Sequence, residues 1–244
     1  MTRGQKKFSY GLFYIIVLGL IVWAFIPSSN APTPVCFGPS CGTNQPLPLE
    51  VSGVPQMFKS ESAHRVVVLG QVTNPNSDYG ASVFSYDFLI FDRDGKTIAS
   101  VPGNEIIYPS ETKYILGIYD AGKADLSLIQ ERPGFEIKSA DFRPAAEFVK
   151  PDFSVISGSE TKIASAGIRV SGKMKNLSSF PAGEAKIIGI LTDKYGDPLF
   201  AGQTAVPGIS GLGEADFEIY FPAEKAIIDR LDINKTSVLF YAIR

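Results

Sequence analysis

The sequence predicts an all-β protein, with two tandem immunoglobulin-like β sandwiches behind an N-terminal transmembrane helix. Three observations predict it. Residues 8–26 are 19 consecutive positions without a charge, directly behind Arg3, Lys6 and Lys7. From residue 49 onward the chain breaks into short β-branched and aromatic runs separated by Gly, Pro, Asn and Asp, which is the pattern of strands and turns. Blocks of those runs recur about 100 residues apart, a period that divides the chain into two units of ordinary domain size.

Residues 1–7 read as a basic cytoplasmic tail and 8–26 as a single span. A bilayer core about 30 Å thick needs roughly 20 apolar residues of helix. Tyr10 and Trp23 lie near the two ends, where amphipathic rings favour the headgroup level. Positive charge precedes the span and no charge follows until Glu50, so the bulk of the chain is expected outside the cytoplasm. A cleavable signal peptide ending at Ser29-Asn30-Ala31 is the rival reading, although Pro32 would then follow the cut. A lipoprotein fails because Cys36 lies too far behind the apolar run, and a pilin fails for want of a glutamate at the required place.

Residues 27–48 form a spacer with six prolines and no charge. Such a segment builds no core and favours extended conformations, reaching up to about 70 Å. Its Cys36 and Cys41, the only cysteines, bracket Phe-Gly-Pro-Ser and are disulfide candidates. A small local loop and an intermolecular bridge are both open to them outside the cytoplasm. Zinc would lack two ligands there.

The first sandwich is expected over 49–148 and the second over 149–244. Val68–Asn74 recurs as Val170–Asn176 at an offset of 102, and Leu89–Gly95 recurs as Ile190–Gly196 at an offset of 101. Arg65–Val72 reads as a strand closed by Asn74-Pro75-Asn76-Ser77. Val83–Phe91 is a second, closed by Asp92-Arg93-Asp94-Gly95, where glycine supplies a positive φ. Ile98–Val101 should return from it until Pro102-Gly103 breaks the pairing. Lys113–Ile118, Ala215–Phe221 and Ser237–Ile243 are further strands, and Ala223–Leu231 suits a short helix. Roughly seven strands per 100 residues argue for an immunoglobulin-like sandwich. Alternation places Phe88 and Ile90 on the core face, with Leu89 and Phe91 opposite.

Phe88-Leu89-Ile90-Phe91-Asp92 resembles Phe-x-Leu-Tyr-Asp, the signature of the FxLYD domain family. Gly70-x-Val72-x-Asn74 upstream and Gly95 downstream resemble that family's pattern as well. In the second unit Gly172, Asn176, Leu191, Asp193 and Gly196 stand at the matching places, but both aromatics are gone. The resemblance implies an extracytoplasmic immunoglobulin-like sandwich, akin to the late-embryogenesis-abundant sandwich domains. It implies no reaction.

Chemistry has few candidates. His64 is the single histidine, with no Gly-x-Ser-x-Gly elbow beside it. Asp92, Asp94 and Asp193 suit turn capping better than calcium, which wants six to eight oxygens. Gly208–Gly213 reads as a flexible interstrand loop rather than a phosphate cradle. Asn176 and Asn234 head glycosylation sequons. Apart from Arg3, Lys6 and Lys7, 20 of the 23 basic residues remain against 25 acidic ones, a net of −5 with no basic run, which excludes nucleic acid as a natural partner. The expectation is a non-catalytic, cofactor-free envelope protein that binds a protein partner. A stress-protective or assembly factor is the alternative, with an anchored hydrolase behind it.

Overall fold

A computed structural model describes residues 45–243 of the chain. The expected tail and span, Cys36 and Cys41 lie outside the described residues. Among the described residues no helix is long and apolar enough to cross a membrane. The protein is all-β, as the strand and turn pattern requires, in four antiparallel sheets arranged as sandwich-like pairs.

The first half contains β1 (Glu50–Val51), β2 (Gln56–Ser60), β3 (Arg65–Thr73), β4 (Tyr79–Phe91), β5 (Thr97–Ile107), β6 (Thr112–Asp120) and β7 (Gly134–Pro144). The central strand β3 pairs with β6 on one side and with β2 and β1 on the other, while the second sheet runs β5-β4-β7. The second half contains β8 (Phe153–Ala164), β9 (Gly167–Asn176), β10 (Ala182–Thr192), β11 (Pro198–Ile209), β12 (Glu214–Phe221), α1 (Lys225–Ile228) and β13 (Ser237–Ile243). Its sheets run β12-β9-β8 and β11-β10-β13.

The two halves therefore share one strand plan, and their turns share one set of hydrogen bonds. The buried Asn74 amide donates to Tyr79 O and Tyr108 O, and its Oδ1 accepts from Asn76 N. Asn176 donates to Phe180 O and Ser210 O and accepts from Ser178 N. Asp92 Oδ1 accepts from Asp94 N and Lys96 N, as Asp193 Oδ1 does from Tyr195 N and Asp197 N. Gly95 (φ 80°) and Gly196 (φ 92°) close the two hairpins in the left-handed region.

Phe88 and Ile90 are fully buried, and Leu89 and Phe91 are half-buried on the opposite face. Phe88 stacks on Phe135 with ring centroids 4.3 Å apart. Gly70 lies beneath those rings: a Cβ there would come within 2.6 Å of Phe135 and 2.9 Å of Phe88.

Two expectations need correction. Pro102-Gly103 does not break the pairing, since β5 continues to Ile107 with Pro102 opposite Asp87 and Gly103 opposite Tyr86. A proline is tolerated in β5 because that strand is an edge and owes hydrogen bonds to one neighbour alone. Gly103 is required by the Tyr86 ring, which sits 2.3 Å from the position of a Cβ. The Gly208–Gly213 segment is likewise no loose loop. β11 runs through Ile209, and a tight turn follows in which Gly211 packs against the Ser179 carbonyl.

Candidate functional site

The motif residues serve the fold. Gly70, Phe88, Ile90 and Leu191 are core positions, Asn74 and Asn176 pin turns, and Asp92, Gly95, Asp193 and Gly196 shape hairpins. Gly172 pairs with Phe217 within the β9–β12 ladder. Phe91 packs beside Gly134. None of them converges on a cleft. Asn176 is fully buried, so its side chain offers nothing to a glycosyl transfer reaction in the folded state, whereas Asn234 is exposed. His64 is exposed in the β2–β3 turn with φ 47°. Among the described residues no group of three or more His, Cys, Asp or Glu side chains is placed to hold a metal ion.

The unusual chemistry lies at the junction of the halves. Along β3 the side chains alternate, yet both faces are buried. Val66, Val68 and Val72 enter the first core, while Val67 and Leu69 join Phe58 and Leu116 in the second half's core. Phe58 meets Phe200 of β11 with centroids 5.7 Å apart. At one end of this apolar seam sits a buried charge cluster. Glu105 accepts from Lys113 Nζ at 3.1 Å and from Lys186 Nζ across the seam. Lys113 is 1% exposed, also donates to Ile106 O, and lies 5.3 Å from the Tyr241 ring centre. Burial alone would raise the Glu105 carboxyl, but the two lysine charges and their hydrogen bonds outweigh it and hold the group below its ordinary value. The Tyr241 hydroxyl oxygen accepts from Tyr114 N, and burial pushes the phenol up to about 12. Burial, with Glu105 nearby, also raises Tyr86.

At another place along the seam, a cleft of about 660 Å³ opens between β2, the segment after Ile129, and the start of β11 with α1. Phe58, Leu199 and Ile227 supply its apolar floor. Its rim carries charges of both signs. Lys59 Nζ donates to Ile129 O at 2.7 Å. Glu224 accepts from Ser60 Oγ, Ser62 N and Ser62 Oγ, tying α1 to the β2–β3 turn across the seam. Arg230 pairs with Asp193 at 3.0 Å. An apolar floor with a charged rim is an arrangement that can bind.

Sequence reasoning missed Glu105, Lys113 and Lys186, and nothing in their local patterns marks them. It also missed the seam, although one signal was present: Val66-Val67-Val68-Leu69 is apolar without alternation, the mark of a strand covered on both faces.

No protein-family model and no curated protein matches the chain. Among solved structures it is similar to a red sea bream transglutaminase at 9% identity and a TM-score of 0.26, over 82% of this chain and 32% of that one. A Bacteroides uniformis β-glucuronidase is similar at 12% identity and a TM-score of 0.21, over 75% of this chain and 26% of that one. A Bacteroides uniformis β-glucuronidase 2 covalently bound to cyclophellitol-6-carboxylate aziridine is similar at 12% identity and a TM-score of 0.20, over 75% and 26% respectively. The chain spans about a third or less of each of these proteins, and likenesses of this depth carry no argument about activity.

Proposed function

We propose that the chain is a single-pass membrane protein whose N-terminus is cytoplasmic and whose two FxLYD-like, immunoglobulin-like sandwiches stand outside as a binding or scaffolding platform without catalysis. One observation carries the binding role. The halves are joined through an apolar seam, so that Phe58, Val67, Leu69 and Leu116 of the first belong to the core of the second. A joint of this kind holds surfaces on both halves in fixed register, which a scaffold needs and a pair of freely linked modules lacks. The immunoglobulin-like reading is supported by strand order, since each half places its first, second and fifth strands in one sheet and its third, fourth and sixth in the other, counting β1 and β2 together. The membrane placement rests on residues 1–26 of the sequence alone.

Crosslinking on intact cells, followed by purification of the membrane-held chain, tests the function. A discrete protein partner is the expected result, and its consistent absence would count against a binding role. Protease added outside intact cells or spheroplasts should digest residues 49–244; protection of that region until lysis would reverse the orientation.

A further inference from the structure

We infer that the cleft at the seam takes an extended peptide of a partner protein as an added strand on the free edge of β2. This rests on the binding function proposed above and names its partner class.

The cleft is lined by five consecutive residues, Pro55 to Lys59. Side chains of a strand alternate between faces, so five in a row line a cleft only where the strand's edge faces it. β2 pairs with β3 and with no other strand, and no further backbone hydrogen bond reaches Gln56–Lys59 among the described residues. Alternate N–H and C=O groups of β2 are therefore left for a partner, beside an apolar floor built from Phe58, Leu199 and Ile227. Backbone pairing with pockets for alternate side chains is the recognition mode in which a peptide extends a sheet. The volume lies within the range of about 300–1,000 Å³ that ligand sites occupy. Two other edges are blunted. β7 exposes Glu136, Lys138, Asp141, Arg143 and Pro144, and β8 changes register twice between Val155 and Glu160.

Charge narrows the occupant. Lys59, Glu224 and Arg230 are engaged within the protein. Glu61, Glu131 and Arg132 are exposed on the rim. Lys59, Arg132 and Arg230 balance Glu61, Glu131 and Glu224 in number, but Arg230 is neutralised by Asp193, which leaves a single net negative charge. The complementary segment is an extended peptide with apolar residues at alternate positions and a Lys or Arg beside them.

Panning phage-displayed random dodecapeptides against the full-length chain tests this. Enriched sequences should alternate apolar residues and carry a basic one. Ala226→Arg, at an exposed position of α1 on the cleft wall, should weaken a synthetic copy of the best peptide by about a hundredfold or more, and Glu131→Lys by about tenfold. Failure to enrich any peptide, or enriched peptides that bind Ala226→Arg unchanged, overturns the inference. A partner crosslinked in membranes and equally retained by Ala226→Arg also overturns it while leaving the scaffold role standing. Peptide binding with no crosslinked partner would instead sink the scaffold role and leave the cleft assignment in place.

Discussion

Lys186 of β10 donates to the carboxylate of Glu105 in β5, so a buried ion pair joins the two halves of the molecule. Lys113 of β6 shares the same carboxylate from the first half. Two ammonium groups thus depend on one anion in a place from which water is nearly excluded, and the position of the second half is what supplies one of them.

Glu105→Gln should cost about 3–5 kcal/mol, because removing one partner of a buried pair strands the other charge. Urea denaturation measures it. Lys186→Met should cost clearly less, since Glu105 keeps Lys113 and the methionine fills the stem's volume. Equal losses for the two variants would mean that the cluster does not work as this geometry requires.

The same pair predicts an acid limit. Glu105 is held below its ordinary value, so its contribution is fully present above the unfolded carboxyl value of about 4.3 and is lost as pH falls through the lower folded value. Wild-type stability should be level above about pH 5 and fall below about pH 4. Glu105→Gln should shrink that fall, and an unchanged acid slope in this variant would show that other carboxylates carry it.

Phe88→Ala should cost about 3–5 kcal/mol and Phe91→Ala less, because Phe88 is fully buried on Phe135 and Phe91 is half-buried. Separate units would melt in two steps, with the second left intact. The seam changes that expectation. Losing the first half strips Phe58, Val67, Leu69 and Leu116 from the second half's core, so calorimetry should show one transition that moves as a whole.

Glycines with different causes should respond differently to alanine. At Gly95 the φ of 80° is the obstacle and the space is open, so Gly95→Ala should cost about 1 kcal/mol. At Gly103 and Gly211 the obstacle is contact, with the Tyr86 ring and with the Ser179 carbonyl. About 1–3 kcal/mol is expected at Gly103, where the ring can shift, and more at Gly211, where backbone must move. Thermal shifts of the three variants check the order.

The outer face of β9 and β12 carries ion pairs. Arg169 of β9 donates to Glu218 of β12 at 3.0 Å, and Lys173 forms an ion pair with Glu214 at 3.8 Å. Arg169 and Glu218 stand where the first half has Val67 and Leu116, which are apolar and covered. Charges of this kind oppose burial against the apolar face of another copy. Sedimentation equilibrium should therefore find no end-to-end chains, and concentration-dependent filaments would contradict this.

Local sequence determined the all-β class, the strands at Arg65, Val83 and Lys113, the turn chemistry at Asn74 and Asp92, and the facing of Phe88 and Ile90, because alternation and turn preference act over a few residues. It also determined the recurrence at 102 and 101 residues, and the hydrogen bonds of the two halves follow those offsets. Tertiary structure alone decided that β5 runs past Pro102, since only its place at a sheet edge frees it from one row of bonds. It alone decided that Val67 and Leu69 face a second core and that Glu105, Lys113 and Lys186 meet, because those partners are distant in sequence and no local pattern encodes a contact closed by packing one half on the other.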